Sequence, residues 1–69
     1  EQGHSKAQYN LGNMYLMGKG VAQDYNQAFR WTRKAADQGY ARAQNNLGTM
    51  YIKGQGVAQD YKQAFRWTR

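Results

Sequence analysis

The side chains that could take part in catalysis are few, and their spacing does not assemble a catalytic group. The carboxylates belong to Glu1, Asp24, Asp37 and Asp60, and the single histidine is His4. They form neither a Ser/His/Asp arrangement nor a carboxylate pair, so general acid–base catalysis lacks its usual side chains. One imidazole without clustered thiols or carboxylates does not make a metal site. The sequence therefore predicts a protein that is not an enzyme and holds no metal or cofactor.

Two glycine-rich segments superficially resemble a phosphate-binding loop. They are Gly-Lys-Gly at residues 18–20 and Gly-Gln-Gly at residues 54–56. A dinucleotide-binding loop follows a strand and leads directly into a helix. Here a predicted helix precedes each segment, the next helix begins several residues later, and the second segment has lost the lysine charge. We interpret both as helix ends followed by tight turns, where glycine adopts the left-handed conformation without steric cost.

The composition limits the class of protein without naming a partner. Ten Lys and Arg residues against four Asp and Glu give a net charge of +6, which permits an acidic partner but does not require one. There is no cysteine, so disulfides and thiolate metal sites are excluded and the redox compartment stays open. No apolar run approaches the length of a membrane span. The sequence indicates no cellular location, since a signal peptide upstream of Glu1 would not be visible.

The elements that carry these residues are repeated after 36 residues. Residues 1–33 align with residues 37–69. Of these 33 pairs, 23 are identical and ten differ. A period of this size predicts one helical unit stacked on its copy, an all-α solenoid. We expect residues 1–3 to end a preceding repeat, residues 4–39 to form one repeat, and residues 40–69 to form a second that stops within its last helix. We therefore expect a piece of a longer array.

Each unit is predicted to form two antiparallel helices joined by a short connection. Gly18 would end the first helix, and Asp24 would cap the second, with Gln27 three residues later as in a capping box. Gly12 and Gly48 lie inside the first helices, where glycine costs about 0.5–1 kcal/mol, so we expect them to make room for a Trp or Phe of the partner helix. The predicted helices cover about residues 5–17, 25–37, 41–53 and 61–69.

One face of the second helix carries the side chains suited to packing. Its opposite face carries polar and charged side chains, so the helix is predicted to be amphipathic. The predicted packing face consists of Tyr25, Ala28, Phe29, Trp31, Thr32, Ala35 and Ala36.

One pattern runs through the first copy and, as far as Trp67, through the second. In the first copy it reads Ala7-x-x-x-Leu11-Gly12-x-x-Tyr15-x-x-Gly18-x-Gly20-Val21, then Asp24, Ala28, Trp31 and Lys34-Ala35-Ala36. This pattern resembles the Sel-one-like repeat family, a relative of the tetratricopeptide repeat. Thr32 and Thr68 depart from it, since the family usually has tyrosine after the tryptophan, and the disulfides of its cysteine-rich branch cannot form here. The resemblance implies a right-handed superhelix and a scaffold or adaptor role in protein–protein contact, with no catalytic activity.

The differences between the two copies predict where a partner would bind. On the first helix the varying positions lie in one sector of roughly 100°, the stripe that lines the concave surface in tetratricopeptide-like repeats. Its apolar side chains suit contact sites, its amides can bind an extended peptide backbone, and its cations can pair with carboxylates. The predicted partner-binding stripe consists of Lys6, Tyr9, Asn10, Asn13, Leu16 and Met17, and of Arg42, Asn45, Asn46, Thr49, Ile52 and Lys53.

Alternative functions remain open at this stage. The varying stripe is also consistent with drift of exposed residues, in which case the segment is a structural spacer that binds nothing. The basic second helices, with tryptophan nearby, suggest nucleic-acid binding, but a solvated outer surface explains them better. Finally, both ends present surfaces that an array would bury, so we expect end-to-end self-association through the end that carries Phe65 and Trp67.

Overall fold

This computed structural model describes residues 2–68, which contain four α-helices joined by short turns. Consecutive helices pack against each other in chain order, so two antiparallel helix pairs lie side by side. No strand occurs in this range, and the predicted all-α solenoid is confirmed. The helices are α1 (Gln2–Met17), α2 (Tyr25–Asp37), α3 (Ala41–Lys53) and α4 (Tyr61–Trp67).

The start of α2 is fixed by the aspartate that the sequence identified. The Asp24 carboxylate accepts hydrogen bonds from the backbone N–H groups of Asn26 and Gln27, at 3.0 and 3.2 Å. The cap is therefore confirmed, but the capping box is not formed. The Asp24 N–H, which Gln27 would have satisfied, instead donates to the Tyr15 carbonyl at 3.0 Å. The last turn of α1 thus positions the start of α2, and Asp60 repeats both contacts at α4.

The ends of α1 and α3 are left-handed glycines. Gly18 and Gly54 have φ angles of 70° and 69°, a conformation that glycine adopts at no steric cost. Side chains satisfy further carbonyls at these ends, since Gln23 Nε2 donates to Leu16 O at 2.8 Å and Gln59 Nε2 makes the equivalent bond. The interpretation of both glycine-rich segments as helix ends and turns is confirmed.

Two predicted helix bounds were wrong. α1 begins at Gln2 rather than near residue 5. In the second copy the equivalent residues form a turn because α2 precedes them, and its Ala35 and Ala36 carbonyls accept their N–H groups. No helix precedes residues 2–4 in the described range, so helical hydrogen bonding continues through them. α4 ends at Trp67 and its C-cap is Thr68, which is short of the predicted end. Residue 69, and residue 1 of the expected repeat end at residues 1–3, lie outside the described residues.

The core is formed around α3, which packs against α2 on one side and α4 on the other. Its Ala43 and Leu47 are fully buried, with Tyr51, Ala35, Ala36 and Ala64 completing the cluster. The same residue types on α1 are not buried. Met14 is 39% exposed whereas its counterpart Met50 is 1% exposed. α1 packs mainly against α2, so apolar side chains on its other sides, such as Met14, stay exposed.

The glycines inside α1 and α3 make room for the neighbouring backbone and not for an aromatic ring. A Cβ on Gly12 would lie 2.6 Å from Thr32 Oγ1 and 3.3 Å from the Ala28 carbonyl. A Cβ on Gly48 would collide with the side chain of Thr68. The expectation of a Trp or Phe was therefore wrong. The threonine that departs from the family pattern is the residue that faces the glycine.

The predicted packing face of α2 is confirmed over most of its length. Ala28, Thr32, Ala35 and Ala36 are buried, and Phe29 packs edge-on against Tyr51 with ring centroids 5.5 Å apart. Tyr25 is the exception, at 41% exposed.

Candidate functional site

α1 and α3 lie next to each other and line a shallow groove of about 280 Å³. Each helix contributes positions spaced three or four residues apart, which share one side of a helix. Most of the groove was predicted, although Met50 and Gln55 were not. Met50 was missed because it is identical in both copies and carries no amide or charge that would indicate a peptide-binding position. The lining residues are Tyr9, Asn13, Leu16, Met17, Asn46, Thr49, Met50, Lys53 and Gln55.

A pair of asparagines connects the two helices across this groove. Asn46 Nδ2 donates to Asn13 Oδ1 at 3.1 Å. The bond uses one donor and one acceptor, so the Asn13 amide NH₂ and the Asn46 amide oxygen remain available. The Thr49 hydroxyl is instead used within α3, where it donates to the Asn45 carbonyl at 3.2 Å. The groove therefore presents a donor and an acceptor side by side, the complement of one peptide unit.

A second cleft of about 470 Å³ lies at the N-terminal end of the same two helices. Ser5 and Lys6 of α1 form one wall, and Arg42 of α3 lies on the other. The buried Ser5 hydroxyl donates to Gln38 Oε1 at 2.6 Å, and Gln38 Nε2 donates to Gln8 Oε1 at 2.9 Å. These bonds hold the turn between α2 and α3 against α1.

Several cleft residues were missed by sequence reasoning. Tyr40 packs against Tyr9 with ring centroids 5.2 Å apart, so the two tyrosines join the cleft to the groove. Positions 4 and 5 vary between the copies, as His4/Tyr40 and Ser5/Ala41, and this variation was a signal that could have been followed. Gln38 gave no such signal, because the same glutamine stands at the equivalent position.

The remaining predicted residues lie outside both depressions. Asn10 and Asn45 are exposed, and Ile52 is 44% exposed, but none of the three lines the groove or the cleft. No predicted stripe residue is buried. The stripe is thus a solvent-accessible strip along α1 and α3, and only part of it is concave.

The groove and the cleft carry positive charge. Lys6, Arg42 and Lys53 are among their lining residues, whereas none of those residues is an aspartate or glutamate. The described carboxylates are used elsewhere. Asp24 and Asp60 cap helices, and Asp37 accepts from Arg33 Nε at 3.3 Å. Long-range electrostatics at this site therefore favour a negatively charged ligand.

The basic outer face of α2 and α4 is arranged differently. Lys34 Nζ lies 4.7 Å above the Trp31 ring, and the Arg33 guanidinium lies 5.7 Å from the Trp67 ring. Each indole thus has a cation of the chain itself over its ring, where a stacked base would have to lie. This face is a poorer nucleic-acid site than its composition indicated.

Within residues 2–68, no group of three or more His, Cys, Asp or Glu side chains lies close enough together to hold a metal ion. Within the same range, every helix is too short or too polar to cross a bilayer.

Comparison with known proteins identifies the repeat. The Sel1 repeat family model matches residues 5–40 and 41–69. The chain is similar to the crystal structure of a Sel1 repeat protein from Oxalobacter formigenes, with 48% identity and a TM-score of 0.90 over 91% of this chain. It is similar also to a protective antigen of uropathogenic Escherichia coli strains that displays an SLR fold, with 48% identity and a TM-score of 0.91 over 96% of this chain. The chain spans 48% and 14% of those two proteins. A search of curated proteins found no match.

Proposed function

We propose that this chain, which belongs to the Sel1 repeat family, binds an extended acidic segment of a partner protein along the groove and cleft between α1 and α3. Members of the family are generally non-catalytic, protein-interaction modules. The observation that carries the more specific proposal is the asparagine pair on the groove floor, where Asn46 donates to Asn13 at 3.1 Å.

The asparagine pair suits a peptide backbone better than it suits a compact ligand. A strand-like segment offers one N–H and one C=O per residue, and these must find partners when the segment leaves water. The free amide NH₂ of Asn13 and the free amide oxygen of Asn46 supply such partners. Extended peptides gain affinity from main-chain hydrogen bonds of this kind and specificity from their side chains.

The side chains around the amides define the chemistry of the segment. Leu16 and Met17 offer apolar surface at one end of α1, and Lys6 lies near the other end beside Arg42. Lys6 and Met17 are eleven residues apart, roughly 16 Å along a helix, which about five extended residues span. We therefore expect a segment of at least about five residues with carboxylates toward the cleft and an apolar side chain toward Met17.

The test uses fluorescently labelled synthetic peptides, since no natural partner is assumed. One set carries Glu and Asp with a single Leu, and a matched set replaces each acid by Lys. Binding is measured by fluorescence polarisation on the whole chain at low and high sodium chloride. We expect the acidic set to bind, with an affinity that falls as salt screens the charges.

Adjacent asparagines supply a matched control. Asn46→Ala removes the groove amide and should raise Kd about tenfold, as expected for a lost hydrogen bond at a desolvated contact. Asn45→Ala changes the same residue type on the same helix outside the groove and should leave Kd unchanged. Tyr9→Ser with Leu16→Ser should weaken binding while helicity stays near wild type, and Ile52→Ser outside the groove should not weaken it.

Four outcomes would contradict the proposal. Equal binding of acidic and basic peptides would show that the positive charge of the site does not select the ligand. Equal effects of Asn46→Ala and Asn45→Ala on Kd would show that the peptide does not bind in the groove. Binding of neither set would favour the spacer role. A single-stranded oligonucleotide that binds more tightly than any peptide, and that is released by Arg30→Ala or Arg66→Ala, would favour the nucleic-acid alternative.

A further inference from the structure

We propose that α2 and α4 form a second binding site, a notch that takes a glutamate or aspartate side chain from an acidic segment of a partner protein. The notch has a volume of about 340 Å³ and is lined by Arg33 of α2 and by Gln63, Arg66 and Trp67 of α4. None of these residues lines the groove or the cleft between α1 and α3. The proposal therefore does not depend on peptide binding in the groove.

Arg33 is held in place by two contacts that leave its outer edge free. Its Nε atom donates to Asp37 Oδ1 at 3.3 Å, and the centre of its guanidinium lies 5.7 Å from the centroid of the Trp67 ring. Within residues 2–68, its terminal Nη1 and Nη2 groups have no hydrogen-bond partner. A guanidinium that is already oriented loses less conformational freedom when it binds an anion.

The polar groups around the notch are mostly hydrogen-bond donors. Guanidinium groups and the indole N–H can only donate, so the Gln63 amide is the one lining side chain that can also accept. Arg66 is exposed, and no carboxylate of residues 2–68 pairs with it. A fitting ligand must therefore supply acceptors, and the edge of a guanidinium matches the two oxygens of a carboxylate.

The charge at the notch favours a carboxylate over a phosphate group. Arg33 and Arg66 carry two positive charges, and Asp37 beside Arg33 balances one of them. A carboxylate balances the remaining charge, whereas a phosphate group of about −1.5 to −2 exceeds it. Nucleic acid is disfavoured for a second reason, because the Arg33 guanidinium lies over the Trp67 ring, where a base would stack.

The residue types of the notch indicate that the carboxylate comes from a protein. Tryptophan and arginine are the side chains that most often dominate the binding energy of protein–protein contacts. Trp67 is half-buried beside two arginines, which combines both types in one small site. Lys34 and Lys62 are exposed on the same two helices outside the notch and would attract further acidic residues of the segment.

The accessibility of the notch is a property of the repeat. On α4, Gln63 and Trp67 are half-buried and Arg66 is exposed. Their counterparts on α2 are equally accessible: Gln27 and Trp31 are half-buried and Arg30 is exposed. Because α2 packs against both α1 and α3, neighbouring helices leave these positions open.

Tryptophan fluorescence tests the notch directly. The chain has two tryptophans, Trp31 and Trp67, and neither lines the groove or the cleft. In a Trp31→Phe variant of the whole chain, the emission therefore comes from the notch alone. The probe is a synthetic peptide of Glu and Ser, without an apolar residue, titrated at low and high sodium chloride. We expect a saturable change in Trp67 emission, with a Kd that rises as salt screens the charges.

Two arginines at equivalent positions supply a matched pair of variants in this background. Arg66→Gln should raise Kd at least about tenfold, because it removes hydrogen bonds to a charged group. Arg30→Gln lowers the net charge by the same one unit at an equally exposed position that does not line the notch. It should raise Kd less than about twofold, since a distant exposed charge is screened. Arg33→Lys keeps the charge but loses the guanidinium edge, so it should also raise Kd.

Asn46→Ala separates this site from the groove, because it should leave the Trp67 titration unchanged. The proposal is overturned if Trp67 emission does not respond to millimolar peptide, or if Arg66→Gln and Arg30→Gln have equal effects. A response that disappears in Asn46→Ala would place the peptide in the groove and would also overturn it. So would tighter binding at Trp67 of a single-stranded oligonucleotide, or of a matched peptide with phosphoserine in place of glutamate.

Discussion

Replacing Gly12 by alanine tests how closely α1 and α2 approach each other. The new methyl group would lie 2.6 Å from Thr32 Oγ1, 3.2 Å from Thr32 N and 3.3 Å from the Ala28 carbonyl. Favourable contacts between heavy atoms lie nearer 3.5–4.0 Å. Thr32 is only 2% exposed and lies within α2, so it cannot move aside. The helices must therefore separate or distort.

Two opposing contributions determine how much Gly12→Ala changes the free energy of unfolding. Removing a glycine from a helix interior contributes about 0.5–1 kcal/mol to stability. Overpacking a close contact costs about 1–3 kcal/mol, and a clash with a buried side chain beside two tight backbone contacts places this site toward the upper end. We expect a net loss of about 1–2 kcal/mol, and each kcal/mol lowers the Tm of a chain of this size by about 4–8 °C.

Gly48→Ala is the matched control at the equivalent position. Its new methyl group collides with Thr68, but Thr68 is an exposed C-cap residue whose side chain can turn into solvent. The remaining contact is the Ala64 carbonyl at 3.1 Å, which a small shift relieves. The cost of overpacking and the gain in helix propensity then nearly cancel, so the free energy of unfolding should change by less than about 0.5 kcal/mol.

The assay is thermal and urea denaturation followed by far-UV circular dichroism, with Thr32→Ala and the Gly12→Ala/Thr32→Ala double variant completing a cycle. Because Thr32→Ala removes the nearest atom, the double variant should be more stable than the sum of the two single effects predicts. The reasoning is refuted if Gly12→Ala is as stable as wild type, or if the two substitutions are additive.

The other stability predictions use the same assay. Asp24→Ala should lower the free energy of unfolding by about 1 kcal/mol, because it removes both hydrogen bonds of the α2 cap. Asp24→Asn can still accept these bonds and should retain most of that stability. Equal losses in the two variants would show that the loss does not come from the capping hydrogen bonds. Met50→Ala should cost about 2–5 kcal/mol, since Met50 is 1% exposed, and Met14→Ala at 39% exposed should cost less than about 1 kcal/mol. A comparable loss at both methionines would mean that α1 is covered in solution.

Features with a local cause could be predicted from the sequence. Gly18 ends α1 and Asp24 caps α2 because these residues satisfy or relieve neighbouring backbone groups, and no distant contact is needed. The capping box failed because the Asp24 N–H finds the Tyr15 carbonyl, which comes from another helix. The prediction that a Trp or Phe faces Gly12 was wrong for the same reason, because the α2 residue that lies against Gly12 depends on how the two helices cross.

The candidate site was predictable only in part. Variation between the copies pointed to one sector of the first helix, and much of the groove lies within that sector. Variation alone does not identify concave positions, because Asn45 varies but lies outside the groove whereas Asn46 is unchanged from Asn10 and lines it. Nor could it identify Gln38, which reaches the cleft through the turn before α3 and bonds to Ser5 and Gln8.

The two copies show that residue type alone does not determine burial in this fold. Ala43 is fully buried while Ala7 is exposed, and Phe29 packs on Tyr51 while Phe65 lies in solvent. The difference comes from whether a second helix covers the face. Neither ring of the Phe29–Tyr51 contact between α2 and α3 lines the groove, so exposed groove residues can change between repeats without disturbing that contact. Tyr9 becomes Asn45 and Met17 becomes Lys53, while the residues at the Phe29–Tyr51 contact are kept. A unit built this way separates helix packing from recognition, which is why substitutions of exposed groove side chains should alter peptide binding and leave stability nearly unchanged.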